Sequence, residues 1–148
     1  MARLVAGGVK LRKQVNRRFR RRDRRSDGWI GDRAHQARRS DHNPDRNGWV
    51  HALDIDADLI LGDKKASKKA AQDLADQLVE YAASGRKGAD RIKYVVFNNK
   101  IASGTYANTY WKWRGSGYGH TQHIHVSFTD KKPVIGRGKF PLPIFRRK

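Results

Sequence analysis

Three histidines stand close together late in the chain, in the segment Gly119-His120-Thr121-Gln122-His123-Ile124-His125-Val126-Ser127-Phe128. From His123 onward, apolar and polar residues alternate in the way that is typical of a strand. Side chains two positions apart in a strand point to the same face, so His123 and His125 are expected to lie side by side. Paired imidazoles suit a metal ion, but a catalytic zinc typically takes about three protein ligands and a water molecule. Further ligands must therefore come from another part of the chain.

A second group of candidate ligands lies upstream, where the turn-forming segment Asn43-Pro44-Asp45-Arg46-Asn47-Gly48 leads into a short apolar run that carries acids. This pattern predicts a loop followed by a strand. Alternation would place Asp54 on one strand face together with Ala52 and Asp56. A carboxylate on a half-buried strand needs a partner that offsets the free-energy cost of its desolvation. A metal ion or another cation would meet that need.

The motif Ser40-x-His42, followed by Ala52-x-Asp54 and by a distant His123-x-His125, resembles the zinc DD-peptidase group, which also includes lysostaphin-type enzymes and the hedgehog signalling domain. In that group the first two motifs supply one histidine and one aspartate ligand, and the second histidine of H-x-H supplies the third. The resemblance implies that His42, Asp54 and His125 bind Zn²⁺. It also implies an α+β fold of the hedgehog/DD-peptidase type, with a small, mostly antiparallel sheet and flanking helices.

The resemblance covers roughly residues 10–130 and is close to peptidase domains encoded by phages of actinobacteria. It is carried by Ser26-Asp27-Gly28-Trp29-Ile30-Gly31-Asp32, by Ala34-His35 and by Ser40-Asp41-His42-Asn43-Pro44. The chain departs from the group in two ways. The separation of His42 and Asp54 is longer than usual, so a longer loop must be accommodated between them. Gln122 stands where many members have a glutamate that acts as general base.

The general base is expected to be a histidine or an aspartate, because Glu80 is the only glutamate and falls in a predicted helix far from the motifs. Relatives with a terminal H-x-H motif place its first histidine near the reacting water. The resemblance therefore implies that His123 accepts the water proton and passes it to the leaving amine. His120 is implied as a further group that contacts the metal or the substrate.

The implied function is a zinc-dependent peptidoglycan peptidase, similar to a phage lysin. Zinc lowers the pKa of a bound water to about 7 and polarises the scissile carbonyl. By comparison with an upstream arginine of the group, Arg25 is the candidate that stabilises developing negative charge. Its competitors in the nearby sequence are Arg33, Arg38 and Arg39. The resemblance allows either an endopeptidase or a DD-carboxypeptidase. The bond that is cut is either the L-Ala–D-Glu bond or a D,D cross-link. A hedgehog-type domain that holds zinc without catalysis is a further alternative.

Other polar and aromatic residues have ordinary interpretations. His35 and His51 are expected to be surface or core histidines rather than ligands. Asp56 either orients a ligand histidine by accepting its second N–H or caps the following turn. Trp111 and Trp113 either line the cleft beside the histidines or belong to the core.

The elements that must position these residues form an α+β pattern. Apolar periodicity predicts helices near residues 9–19 and 64–83, the second with Asp63 as a cap. Strands are predicted at 50–55, 92–98 and 121–128, with a further one around 110–113. We expect one domain over residues 1–130, followed over residues 131–148 by a basic, proline-containing tail that is loosely packed or extended over the surface.

The net charge of +19 supports a rival function. Seven arginines form a basic block, namely Arg17, Arg18, Arg20, Arg21, Arg22, Arg24 and Arg25. Together with the tryptophans, this block suits a nucleic-acid-binding or virion structural protein that carries a structural zinc site. It equally suits attraction to anionic polymers of the bacterial cell wall. We favour the wall because the chain carries no recognisable nucleic-acid motif.

The 148-residue chain has no cysteine, which excludes disulfides and cysteine-bound zinc. It also shows no signal segment and no apolar run that could span a bilayer. We expect no membrane insertion and a monomer. The expected setting is a phage-encoded protein that leaves the host cytoplasm through a holin to reach the wall, or that is carried in the virion.

Overall fold

Two α-helices pack on one side of a five-stranded antiparallel sheet in the computed structural model, which describes residues 2–29, 40–104, 108–117, 119–129 and 138–146. The elements in chain order are β1 (Arg3–Leu4), α1 (Ala6–Arg18), β2 (Trp49–Val50), β3 (Ala52–Asp56), α2 (Lys64–Ala83), β4 (Ile92–Phe97), β5 (Lys100–Ser103), β6 (Arg114–Gly115) and β7 (His123–Phe128). Short 3₁₀ helices lie at Ala89–Arg91 and Pro143–Phe145. The predicted α+β class with a mostly antiparallel sheet is confirmed.

The histidine strand β7 lies inside the sheet, whose strand order is β3-β7-β4-β5-β6. β1 and β2 form a separate parallel pair. In the antiparallel pairing of β3 with β7, Asp54 is directly opposite His125 and Asp56 is opposite His123. Residues that face each other across such a pair share one face of the sheet. The register therefore brings the acids of one predicted strand to the histidines of the other.

The opposite face of the sheet carries the hydrophobic core. Its side chains alternate with the polar ones along both strands, so that Leu53 and Ile55 of β3 pack with Ile124, Val126 and Phe128 of β7. All five are at most 2% exposed. Helices α1 and α2 cover this face. Because alternate side chains of a strand point to opposite faces, the candidate site lies on one face of the sheet and the core on the other.

Helix α2 runs from Lys64 to Ala83 as predicted. The Asp63 carboxylate accepts a hydrogen bond from the Ala66 N–H at 2.9 Å, which satisfies a backbone donor that has no partner within the helix. Four apolar residues at helical spacing are buried on one side of α2, namely Ala71, Leu74, Ala75 and Leu78. Among the described residues, no helix is long and apolar enough to cross a membrane.

Helix α1 begins at Ala6, earlier than predicted, and contains Gly7 and Gly8. The Leu4 side chain lies close to position 8. A Cβ on Gly8 would lie only 2.8 Å from Leu4 side-chain atoms, so a side chain there would require Leu4 to move.

The prediction of a strand around Tyr110–Trp113 is wrong. Tyr110 and Trp111 have φ values of 56° and 60°, so the backbone is left-handed there, and the short strand β6 begins only at Arg114. Trp111 and Trp113 pack against the core, and the Trp113 indole N–H donates to Asp76 of α2 at 2.9 Å. The core interpretation of these tryptophans is therefore the one that the structure supports.

The expectation of a loosely packed C-terminal tail is wrong for residues 138–146. Phe140 and Leu142 are only 1% and 2% exposed and belong to the core. The Gln14 side chain of α1 exchanges two hydrogen bonds with the backbone of Phe140, at 3.0 and 2.8 Å. The Gln77 side chain of α2 accepts the Ile144 N–H at 2.8 Å. This segment is therefore fastened across both helices.

Candidate metal centre

His42, Asp54 and His125 meet on the polar face of the sheet. Asp54 comes from β3 and His125 from β7, and the strand register places them opposite each other. The Asp54 Oδ1 atom lies 3.0 Å from His125 Nδ1, and its Oδ2 atom lies 3.3 Å from His42 Nε2. His42 Nε2 and His125 Nδ1 are 3.2 Å apart. Three motifs that are distant in the sequence therefore bring two imidazole nitrogens and a carboxylate together.

The loop before β2 delivers His42 to this point. The Ser40 hydroxyl accepts the His42 backbone N–H at 3.2 Å, which gives the serine of the S-x-H motif a physical role in shaping the loop. The loop is closed at its other end by Asp45, whose carboxylate accepts the backbone N–H groups of Asn47 and Trp49. The segment between His42 and Asp54 is thus folded into turns that bond to themselves.

The spacing of the two histidine nitrogens suits a tetrahedral ion. For metal–ligand bonds of about 2.0–2.1 Å in tetrahedral geometry, neighbouring ligand atoms lie about 3.3–3.4 Å apart. The two histidine nitrogens are 3.2 Å apart, close to that value, and the Asp54 carboxylate reaches His125 Nδ1 with Oδ1 at 3.0 Å and His42 Nε2 with Oδ2 at 3.3 Å. Two imidazole nitrogens and one carboxylate oxygen form a ligand set that suits zinc. The cluster could therefore hold a metal ion.

The second nitrogen of each ligand histidine also has a partner. His42 Nδ1 lies 3.1 Å from the Trp29 carbonyl oxygen, and His125 Nε2 lies 2.8 Å from the Ser127 hydroxyl oxygen. A carbonyl can only accept, so His42 Nδ1 carries a proton, and in the neutral ring that a metal ion would bind, Nε2 presents its lone pair to the cluster. Ser127 can accept the N–H of His125 in the same way. Such partners fix the tautomer and orientation of metal-binding histidines.

Trp29 is held in place by the edge of β3. Gly28 pairs with Asp54 through two backbone hydrogen bonds, of 2.7 and 3.2 Å, so a single bridge at Gly28 borders β3 and places the next residue, Trp29. The preceding turn is anchored by Asp27, whose Oδ1 accepts the Asp56 N–H at 2.7 Å and the Arg22 guanidinium at 2.8 Å. Arg22 is buried, unlike the exposed arginines around it. It therefore supports the candidate site and is not part of a solvated basic face.

Close packing of the cluster shifts the acid–base behaviour of its members. Burial would raise the pKa of Asp54, but hydrogen bonds from His125 and His42 outweigh it and hold that pKa well below the usual value. Burial likewise lowers the pKa of His42, yet the hydrogen bond to Asp54 prevails and the net pKa is raised. Burial lowers the pKa of His125. An ionised Asp54 is the form that a metal ion requires.

His123 and His120 lie beside Asp54 on the more open side of the cluster. His123 Nε2 is 3.6 Å from Asp54 Oδ2, and the His123 side chain is 26% exposed. The rings of His120 and His123 meet edge to face, with centroids 4.9 Å apart. Burial and the neighbouring His125 and His123 lower the pKa of His120 to about 4. With Asp54, these two histidines form a second group whose ligand atoms lie within 4.8 Å of one another.

Arg25 bonds to a residue outside the cluster. Its side chain is 90% exposed and, among the described residues, its guanidinium bonds to Asp23 at 2.8 Å rather than to the cluster. The competing candidates lie outside the described residues, as does His35; these are Arg33, Arg38 and Arg39.

His51 and Asp56 have structural partners. His51 Nε2 lies 2.9 Å from Asp45 Oδ2, on the loop that carries His42. The Asp56 carboxylate accepts the Ser26 N–H at 3.0 Å and the Asp58 N–H at 2.8 Å. The turn-capping interpretation of Asp56 is therefore the one supported.

Sequence reasoning missed the residues that orient the ligands. Ser127 could have been found, because it lies two positions after His125 and so on the same strand face. Tyr94 stacks on the His125 ring with centroids 5.4 Å apart, and only the pairing of β4 with β7 reveals this contact. Trp29 acts through its backbone carbonyl, for which a side-chain pattern gives no signal.

No family model, no curated protein and no solved structure matches the chain.

Proposed function

We propose that the protein is a zinc-dependent peptidoglycan peptidase, similar to a phage lysin, with a hedgehog/DD-peptidase-like zinc fold. The observation that carries the proposal is the convergence of His42 Nε2, His125 Nδ1 and the Asp54 carboxylate within 3.0–3.3 Å of one another. The second nitrogens of both histidines are already bonded, which leaves the converging atoms to the metal. The three ligand positions are those of the S-x-H, A-x-D and H-x-H motifs.

A catalytic ion is favoured over a purely structural one by the open side of the cluster. Structural zinc sites are usually closed by four protein ligands, whereas catalytic sites keep one position for water or substrate. Two further histidines border the cluster here without joining the triad, and His123 is partly exposed. This arrangement places groups that can carry protons beside the cluster.

The role proposed for each residue follows from its position in the cluster. When bound, Zn²⁺ would supply Lewis acidity and lower the pKa of a bound water to about 7. His42, Asp54 and His125 would hold the ion. His123 would accept a proton from the attacking water and return it to the leaving amine. His120 would contact the substrate, and Arg25 would have to leave Asp23 before it could stabilise developing charge.

The substrate class is proposed from the motif set, which resembles enzymes that cut cell-wall peptides. Stem and cross-link peptides are both included, so the enzyme is either an endopeptidase or a DD-carboxypeptidase. A phage origin would place it in the host cytoplasm before release to the wall, or in the virion.

The test is mass spectrometry of purified actinobacterial peptidoglycan after digestion with the zinc-loaded protein. A His125→Ala variant and a chelated sample should release nothing. Asp73→Ala, on the exposed surface of α2, should retain cleavage as the control. New stem-peptide termini that depend on His125 and on metal would establish the activity and identify the bond. Zinc binding without cleavage, together with tight nucleic-acid binding, would instead favour a structural zinc site in a nucleic-acid-binding or virion protein.

A further inference from the structure

A basic groove runs along α1 on the side of the molecule away from the metal cluster. It has a volume of about 1160 Å³ and lies between α1 and the C-terminal segment. One wall carries six cationic side chains, namely Lys10, Lys13, Arg17, Arg18, Arg20 and Arg21. Lys139 and Arg146 stand on the other wall. Among the described residues, no carboxylate lines this groove, so its charge is not compensated locally.

The packing of the C-terminal segment creates the groove. The Arg18 guanidinium donates to the Ile144 carbonyl at 2.8 Å, and Gln14 bonds to the Phe140 backbone. These contacts fix the second wall against α1. Along the helix, Lys13 and Arg17 follow Lys10 on the same side at intervals of about 4.5 and 6 Å. The cations therefore form a row along a fixed channel.

We infer that this groove binds a single flexible chain of phosphodiester-linked polyols, of the kind found in bacterial cell walls. A row of uncompensated cations attracts a chain with repeated negative charges. The choice of a cell-wall source rests on the proposed function, whereas the binding itself does not involve the metal cluster.

Nucleic acids fit the same groove less well. Proteins that bind single-stranded nucleic acid interleave cations with aromatic rings on which bases stack. Phe145 is the one aromatic side chain among the described lining residues, and the tryptophans Trp111 and Trp113 pack against the core elsewhere. Readers of duplex DNA insert a projecting helix or ribbon into a major groove about 12 Å wide. Here the cationic helix is flanked by a second wall, which suits a thinner chain.

The test compares binding of three fluorescent probes to the full-length protein in EDTA: poly(glycerol phosphate), single-stranded oligo(dT) and a DNA duplex. Lys13→Gln/Arg17→Gln/Arg21→Gln removes three exposed groove cations. Lys64→Gln/Lys65→Gln/Lys68→Gln removes the same charge from exposed positions of α2, as a matched control. Thermal unfolding of both variants verifies that they fold.

We expect poly(glycerol phosphate) to bind most tightly, with affinity that falls as salt rises. The groove variant should weaken this binding by about tenfold or more, and the α2 variant by about threefold or less. Equal losses in both variants would overturn the inference in favour of net charge alone. Tighter binding of either DNA probe, or no binding of the wall polymer, would also overturn it. Because EDTA is present throughout, failure of the peptidase assay would not affect this result.

Discussion

At the residue scale, the hydrogen bond between His125 and Ser127 holds the ring whose other nitrogen is the candidate metal ligand. Ser127 is fully buried, and its hydroxyl lies 2.8 Å from His125 Nε2. We expect Ser127→Ala to weaken zinc binding by about tenfold or more, because the ring loses the partner that fixes its tautomer. Competition with a chromophoric chelator measures this affinity.

The matched control for that variant is Ser67→Ala. Ser67 is also buried, but its hydroxyl bonds to the backbone of Ile60 near the start of α2. Both variants should lose stability through an unmade hydrogen bond, about 1 kcal/mol each. Only Ser127→Ala should lose zinc affinity; a similar loss in both would mean that the effect arises from general destabilisation.

A second residue-scale prediction concerns His120 in the metal-free protein. Its folded pKa of about 4 lies below the ordinary value of 6.5, so the folded state favours the neutral ring. Between these values the unfolded chain binds more protons, and stability therefore rises with pH. The contribution of His120 is complete above pH 6.5 and is lost as the pH falls toward 4. Thermal unfolding across this range should show a steeper loss in the wild type than in His120→Asn.

Asparagine is the suitable replacement because the backbone at position 120 has a φ of 52°. Among residues other than glycine, asparagine is enriched in this left-handed region. Parallel pH profiles for the wild type and His120→Asn would contradict the assignment of the lowered pKa to this histidine.

The sequence predicted side chains that could provide ligand atoms to a metal ion, but backbone groups leave no signal in it. His42, Asp54 and His125 were predicted together, and the structure brings them together. The Trp29 carbonyl could not be predicted, because its position depends on the pairing of Gly28 with Asp54. Arg22 was grouped with exposed arginines, since composition does not reveal that Asp27 holds it in the interior.

At the element scale, the cap of α2 can be tested separately from the metal cluster. We expect Asp63→Ala to lower the free energy of unfolding by about 1 kcal/mol, because the Ala66 N–H loses its acceptor. Urea unfolding measures the change. Zinc affinity should stay the same, since α2 packs on the opposite face of the sheet from the cluster.

Asp73→Ala is the control for this helix. Asp73 pairs with Lys69 on the exposed surface, and such a pair contributes about 0.5 kcal/mol or less. If both aspartates contributed equally, the Asp63 effect would reflect helix charge and not the cap.

Helix α2 was predictable because its cap residue and its apolar periodicity agreed. Strand β5 was missed because a turn, and not an apolar pattern, marks where it begins. The hairpin of β4 and β5 turns at Asn98 and Asn99, whose φ values are 52° and 62°. A two-residue turn with both φ values positive joins antiparallel strands with the correct twist. The asparagine pair was therefore a signal for β5 that the apolar pattern alone did not give. The aromatic alternation of 110–113 instead suggested a strand where the backbone is left-handed.

At the scale of the whole molecule, the C-terminal segment shows why composition is a weak guide to packing. Prolines and basic residues suggested a tail, yet two apolar side chains within it complete the core under both helices. Long-range contacts of this kind depend on where α1 and α2 lie, which no local pattern encodes. The same packing forms the second wall of the basic groove.

Phe140 provides the test of that conclusion. Its ring meets Tyr81 edge to face at 5.9 Å, and the Arg91 guanidinium carbon lies 3.9 Å from its centroid. We expect Phe140→Ala to lower the free energy of unfolding by about 3 kcal/mol or more, because it leaves a cavity in the core. Phe145→Ala, which truncates a partly buried ring in the same segment, should cost clearly less. Chemical denaturation of both variants measures the difference; equal, small losses would mean that the segment only covers the surface and that α1 and α2 are stable without it.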